Sequence, residues 1–211
     1  VYSAIIEAIA SGYTKANEIS TKIGEDSAKC LKYIKTLCEL GILHKETPFG
    51  EKKSSRKTIY GISDFMFRFW YRYVFTNRTL IETGAQQVVW EKRIKPDYCS
   101  YMGLVFEKVC MDYLNAKNAK GELPILYTSI GRWWGTNAAT HGQEEIDLIA
   151  KEDSVYVFVE VKYRRDNRAG DSLSAVHTEK QKKIIKTAEY YLMMHCHCME
   201  VPCRFDVVGI D

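Results

Sequence analysis

Glu145-Ile-Asp147 and Glu160-Val-Lys162 place ionisable residues two apart inside runs that are otherwise aliphatic. Glu145-Ile-Asp-Leu-Ile-Ala150 and Val155-Tyr-Val-Phe-Val-Glu-Val-Lys162 both have the composition of β-strands. A tight turn through Lys151 to Ser154 would pair Ala150 with Val155, Leu148 with Val157 and Ile146 with Val159, gathering the small aliphatics on one face. The same register puts Glu145, Asp147, Glu160 and Lys162 on the opposite face. Asp147 then lies opposite Phe158 and diagonal to Glu160, about 7–8 Å away between backbones, so the two carboxylates can converge on one ion. Packing gives no reason to set acids and a lysine beside Phe158 and Tyr156; if helices cover that face, the charges need a metal or each other. Oxygen ligands of this kind suit Mg2+ or Mn2+ rather than zinc. Such an ion would polarise a phosphodiester and lower the pKa of a bound water. Lys162, on the face of Glu160, could orient that water or stabilise the developing charge. The competing reading is a solvated strand face on which Lys162 simply pairs with the acids.

These residues need a sheet and helices to hold them, and from Pro124 onward the sequence supplies both. Strands are expected at Ile125 to Ile130, Glu145 to Ala150, Val155 to Val161 and Arg204 to Ile210, with a helix from about Thr178 to Met194 between the last two. An amphipathic helix over Gly103 to about Lys117 comes before them, with Phe106, Val109, Cys110 and Tyr113 as its apolar face and Glu107 beside that face. The second half is therefore α/β, and the chain as a whole α+β. Lys162 to Arg168 is a basic run after the acidic strand, and Arg164 and Arg165 are candidates for a nucleic-acid backbone. His141, in the loop before Asp147, could approach a phosphate or merely be exposed.

The first 63 residues predict three helices and a hairpin. Ile5, Ile6 and Ile9 recur at helical spacing. A second helix stops at Gly24, and Asp26 or Ser27 caps a third whose stripe is Leu31, Ile34, Leu37 and Cys38 before Gly41. Ile42 and Leu43 open a strand, a polar loop around Pro48, Gly50 and Lys52 to Lys57 turns the chain, and Thr58 to Ile62 returns it. That is the element order of a winged helix-turn-helix. Lys29, Lys32 and Lys35 lie off the apolar stripe and Lys53 and Arg56 lie on the wing, where they could contact DNA or face solvent. Residues 64–102 form an aromatic-rich helical connector, read as a buried interdomain helix and interrupted by Pro96. The nuclease-type α/β region is expected over 103–211.

Composition narrows the classes. The 211 residues include 30 basic and 27 acidic ones, a net charge of +3 that leaves local clustering to decide any partner. No apolar run approaches the ~18 residues of a membrane span, and no signal-peptide pattern opens the chain, so no membrane association is expected. Seven cysteines without scaffold spacing fit a reducing, cytoplasmic setting. His195-Cys-His-Cys198 with Cys203 lacks a second paired cluster, and zinc is not expected there. The chain starts at Val1 rather than Met and is expected to be a piece of something longer.

Asp147, then Glu160-Val-Lys162, with the helical acid Glu107 upstream, resembles the PD-(D/E)XK nuclease superfamily, in particular the archaeal Holliday-junction resolvase branch and its bacterial relatives. Ile146 stands where the superfamily motif has proline. Tyr60-Gly-Ile-Ser-Asp-Phe-Met-Phe-Arg-Phe-Trp70-Tyr and Ile130-Gly-Arg-Trp-Trp134 are similar to the C-terminal region of the archaeal-type AAA+/STAND ATPase family, in which an ATPase precedes a winged helix and a nuclease-like domain. The resemblance covers almost the whole chain. It implies a restriction-endonuclease-like domain with a mixed sheet flanked by helices. It further implies Glu107, Asp147 and Glu160 as metal ligands, Lys162 as the catalytic lysine and Gln181 as an accessory polar residue. No Gly-x-x-x-x-Gly-Lys-Ser/Thr occurs, so the ATPase would be a covalently linked N-terminal domain. The expected activity is Mg2+- or Mn2+-dependent cleavage of branched or duplex DNA. The rival is a non-catalytic DNA- or protein-binding regulatory module of that ATPase, and a transcription factor working through the winged helix ranks last. Many nucleases of this type are dimers, so a homo-oligomer fits the resemblance.

Overall fold

The computed structural model describes residues 1–123, 126–138, 141–163, 176–198 and 200–210. Arg164, Arg165 and the rest of the basic run through Arg168 lie outside the described residues, as does Ile125. The chain divides into two compact units, one of Val1–Thr47 with Lys52–Cys99 and the other of Pro48–Glu51 with Ser100–Asp211.

The first unit opens with α1 (Tyr2–Ala10), α2 (Ala16–Ile23) and α3 (Ser27–Glu39), followed by the antiparallel pair β1 (Leu43–Glu46) and β2 (Ile59–Ile62). Gly24 closes α2 at φ +68°, a left-handed conformation in which a side chain would be strained. Asp26, rather than Ser27, caps α3: its carboxylate accepts from the backbone N–H groups of Ala28 and Lys29. The buried stripe of α3 is Cys30, Ile34 and Leu37, packed with Ile5, Ile9 and Ile19, while Leu31 is exposed. Ile34, Leu37 and Cys38 thus lie on the core as expected, and Cys30 takes the place expected for Leu31.

Beyond β2, Asp64 caps α4 (Phe65–Phe69), which runs into a π-helical turn over Trp70–Val74 and then α5 (Arg78–Glu82) and α6 (Gln86–Val89). Of the aromatic run only Tyr73 is buried; Met66, Phe67 and Trp70 are exposed, so the stretch is not the buried helix its composition suggests. Arg72 anchors it, pairing with Asp97 at 2.6 Å and donating to the Ala10 carbonyl. Pro96 does not interrupt the helix either. A π-helical turn over Trp90–Ile94, closed by Lys95 N–H on the Trp90 carbonyl, leads straight into α7 (Lys95–Ala119), and this widened turn just before Pro96 accommodates a residue that has no N–H to donate.

In the second unit β3 (Ser129–Thr136), β4 (Gln143–Glu152), β5 (Val155–Tyr163) and β6 (Cys203–Ile210) form one sheet in the order β3-β4-β5-β6. The first three strands are antiparallel and β5 and β6 are parallel, so the sheet is mixed, and α8 (Thr178–Cys196) lies on the path from β5 to β6. Helices flank it. On one side Phe106, Cys110, Met111 and Leu114 of α7 meet Leu148, Ala150, Val157, Val159 and Val161. On the other, Ala188, Tyr191 and Leu192 of α8 meet Trp133, Ile146, Ile149 and Phe158. Val109 and Tyr113, read as core, are exposed; the buried face of α7 is turned toward Glu107, which precedes Cys110 by three positions. Pro48–Glu51 also belongs to this unit: Pro48 is fully buried and Phe49 N–H donates to the Arg132 carbonyl at 2.7 Å. That part of the loop is therefore not a free polar tip.

Candidate active site

The hairpin that carries the acids is built with a tighter turn than its sequence suggests. Glu152 pairs with Val155, Ala150 with Val157 and Leu148 with Val159, leaving Asp153 and Ser154 as a two-residue turn with Asp153 at φ +46°. Relative to the expected pairing the register slips by two positions. A slip of two keeps every side chain on its face, so the grouping of valines with Leu148 and Ala150 survives. It changes the acids' relation, because continuing the observed register one step sets Asp147 directly across from Glu160.

The ladder ends there for a reason found on the other side of β4. Gly131 pairs with Ile149 and Trp133 with Ile146, so two steps along β3 are matched by three along β4. This extra residue is a β-bulge at Asp147–Leu148, which reverses the alternation before it. Ile146 therefore packs with Trp133 and Ile149 on the α8 side, not with Leu148 and Ala150. Glu144 turns toward α8 and accepts from Thr187 Oγ1 at 2.9 Å. Released from regular pairing, the Asp147 carboxylate accepts the Val161 backbone N–H at 2.8 Å, a side chain standing in for a strand neighbour.

Glu160 is buried at 7% exposure, and its Oε1 holds two ammonium groups, Lys162 Nζ at 2.5 Å and Lys180 Nζ at 2.8 Å. These are ion pairs rather than well-angled hydrogen bonds. Burial first, and then the charge of Glu160, push Asp147 above the usual aspartate range; the Val161 N–H, Lys162 and Lys180 pull the other way without cancelling the shift. For Lys180, burial disfavours the ammonium, but the close contact with Glu160 and the charges of Glu160, Asp147 and Glu145 outweigh it and raise the pKa. A cavity of about 260 Å³ opens between the ends of these strands and the first turns of α8, lined among others by Glu145, Asp147, Glu160, Lys180, Lys183 and Thr187.

The structure brings Asp147, Glu160 and Lys162 together. Glu107 lies on the α7 side of the sheet, where its Oε2 pairs with Arg132 Nε at 2.8 Å, and it is not among the residues lining the cavity. Its charge and that of Asp147 are both felt by buried Cys110, whose pKa burial raises first. Gln181 is exposed, donates to the Val176 carbonyl at 2.8 Å and does not line the cavity. Its neighbour Lys180 occupies the position on α8 that faces the acids. The signal for it was present: Lys180, Ile184, Thr187 and Tyr191 recur at helical spacing, and Tyr191 is core.

Two carboxylates and their surroundings fit Mg2+ or Mn2+, which bind through one or two carboxylates and keep the rest of their shell for water and phosphate. Among the described residues no group of three or more His, Cys, Asp or Glu is placed to hold a metal. His195 accepts from the Trp133 indole N–H at 3.2 Å and stacks on Tyr191. His141 is exposed at the loop before β4. In the first unit Lys29 pairs with Glu25 at 2.8 Å and Lys35 with Glu39 at 3.7 Å, Lys32 and Arg56 are exposed, and the Lys53 carbonyl accepts from Lys45 Nζ. No helix among the described residues is long and apolar enough to cross a membrane.

A mixed four-stranded sheet between helices, with an acid pair and two lysines at one end, defines the class of domain. The chain belongs to the DUF234 family, archaeal and bacterial proteins of unknown function, whose profile matches residues 70–184. It is 39% identical over 165 residues to an uncharacterised protein of Methanocaldococcus jannaschii, a match covering 77% of this chain and 36% of the relative. A UPF0102 protein of Photorhabdus laumondii is 32% identical over 105 residues, 49% of this chain and 82% of that protein, so the chain belongs with the UPF0102 proteins as well. Another, of Shewanella amazonensis, is 46% identical over 66 residues, 31% of this chain and 59% of the relative. The chain thus spans about a third of the archaeal relative and a little over half of the Shewanella one. No solved structure matches it.

Proposed function

We propose that the second unit is a metal-dependent nuclease domain that hydrolyses DNA phosphodiesters. The observation that carries this reading is the convergence of Asp147, Glu160 and Lys162 where β4 and β5 part, beside a cavity that α8 lines with Lys180 and Lys183. The nuclease-like, restriction-endonuclease-fold character of the UPF0102 relatives supports it. Asp147 and Glu160 would hold Mg2+ or Mn2+. Bound there, the ion would supply an activated water and polarise the phosphate. Lys162, two residues along β5 from Glu160, orients the attacking water or offsets charge that develops on the phosphate. The three helices and hairpin of the first unit act in this reading as a winged helix, with Lys29, Lys32, Lys35, Lys53 and Arg56 along the DNA backbone. A linked ATPase domain and a homo-oligomeric state are part of the same proposal; the length of the archaeal relative beyond the match leaves room for such a domain. A cytoplasmic setting belongs to the same proposal, supported by seven cysteines without disulfide-scaffold spacing.

Incubation with branched, single-stranded and duplex DNA in Mg2+ or Mn2+ tests the reading. Cleavage is expected, falling by 100-fold or more (about 10²–10³, the order seen when one group that stabilises a transition state is removed) in Asp147→Ala and Glu160→Ala. No cleavage by the wild type, and no effect of either substitution, would sink it. The engagement of Glu107 with Arg132 favours a second reading, a regulatory module that keeps the fold and binds DNA or a protein without turnover. Calorimetry separates the two: failure to bind Mn2+ at millimolar concentration selects the module.

A further inference from the structure

Lys180 sits in the first turn of α8 and reaches Glu160 of β5 from that helix. Its ammonium and that of Lys162 meet the same buried oxygen of Glu160. Lys162 and Lys180 thus occupy the oxygen that a divalent cation held by Asp147 and Glu160 would need, and cation and ammonium repel at such a distance. At least one ammonium must then leave. Lys162 is rooted in β5, where the strand pairs with β6, two residues from Glu160. Lys180 reaches in from a helix on four methylenes, its side chain is a third exposed, and the cavity beside it also receives Lys183 from the next turn. Lys180 is the one with somewhere to go.

We propose that Lys180 is a positioning residue that holds the Glu160 carboxylate until a divalent cation takes it, and that its ammonium then turns into the cavity and binds a nucleic-acid phosphate. The proposal rests on the nuclease reading of the same acids. Cation and phosphate then assist each other, since the lysine displaced by one is the ligand of the other, and such coupling is reciprocal. An α8 lysine placed only for the fold would produce no such linkage.

The experiment is Mn2+ titration of the whole chain by calorimetry, without nucleic acid. Lys180→Met removes the competing ammonium and is expected to bind Mn2+ about five-fold more tightly or better, while Lys180→Arg stays within about two-fold of the wild type. Unchanged or weaker binding by Lys180→Met with a native circular dichroism spectrum overturns the proposal; Lys180→Gln takes its place if the Met variant does not fold. Fluorescence anisotropy of a labelled oligonucleotide gives the second readout, with Ca2+ replacing Mn2+. Ca2+ is expected to tighten binding by the wild type and to tighten it less in Lys180→Met; an equal gain in both overturns the phosphate half. If the wild type takes up no Mn2+, the nuclease reading falls and this proposal with it. Uptake by the wild type with no change in Lys180→Met removes this proposal alone.

Discussion

Asp147 is held in a state that is unfavourable for folding and useful for binding a cation. Burial and the facing charge of Glu160 raise its pKa, so the folded protein favours the protonated acid more than the unfolded chain does. The sign follows: well below the ordinary value of 3.8 the group is neutral in both states and imposes no penalty, which then grows as pH rises toward the folded pKa and stays constant above it. Asp147→Asn keeps an oxygen for the Val161 N–H and removes the charge. In EDTA at pH 7 it should melt higher than the wild type, by roughly 2–4 °C per kcal/mol relieved, and the gain should fade as pH falls through that window. A melting series from pH 7 to pH 3 checks it, and a gain independent of pH would refute the electrostatic cause. Glu160 is in the opposite condition, buried but gripped by two lysines, so the pair divides between one acid short of partners and one rich in them.

At the scale of elements, the bulge in β4 decides which residues meet. Its cost is an interrupted ladder, and its effect is to free the Asp147 side chain and to turn Ile146 and Glu144 toward α8. The neighbouring β3 depends on a close approach: a Cβ on Gly135 would lie 2.9 Å from Trp133 Cζ2, and Trp133 is buried against Tyr191. Gly135→Ala therefore has to move a packed indole. A loss of about 1–3 kcal/mol in urea denaturation is expected, together with weaker Mn2+ binding, because Trp133 pairs with Ile146 next to the bulge. Unaltered stability would mean that the indole has room to shift.

For the molecule as a whole, cation binding and folding are linked. A cation bound only by the folded state stabilises it by about 2.7 kcal/mol at a hundred times its dissociation constant. Mn2+ should therefore raise the melting temperature of the wild type and leave Asp147→Ala and Glu160→Ala unmoved. Since both acids lie in the second unit, a scan that resolves two transitions should show only one of them shift. Equal shifts in the acid variants would place the cation elsewhere.

The sequence by itself determined β4, β5, β6 and α8, the period-two pattern that segregates valines from acids, and the trio Asp147, Glu160 and Lys162; it set the strand before them at Ile125 to Ile130, whereas β3 runs over Ser129–Thr136. These are legible because alternation and composition are local properties. It also marked Gly24 as a helix stop, and Asp26 as one of two candidate caps, through chemistry confined to one turn. Tertiary structure decided the rest. Hairpin register depended on how tightly Asp153 and Ser154 turn, and the bulge depended on pairing with β3, a strand whose register no residue of β4 encodes alone. Lys180 and Gln181 are adjacent polar residues on one helix; the angle at which α8 lies on the sheet carries Lys180 to Glu160 and leaves Gln181 outside. Glu107 shows the same dependence: the helix turned it toward the sheet, and Arg132, across from the bulge, took it. Spacing along the chain assigns residues to a face, but the position along that face and the partner found there come from the packing of elements distant in sequence.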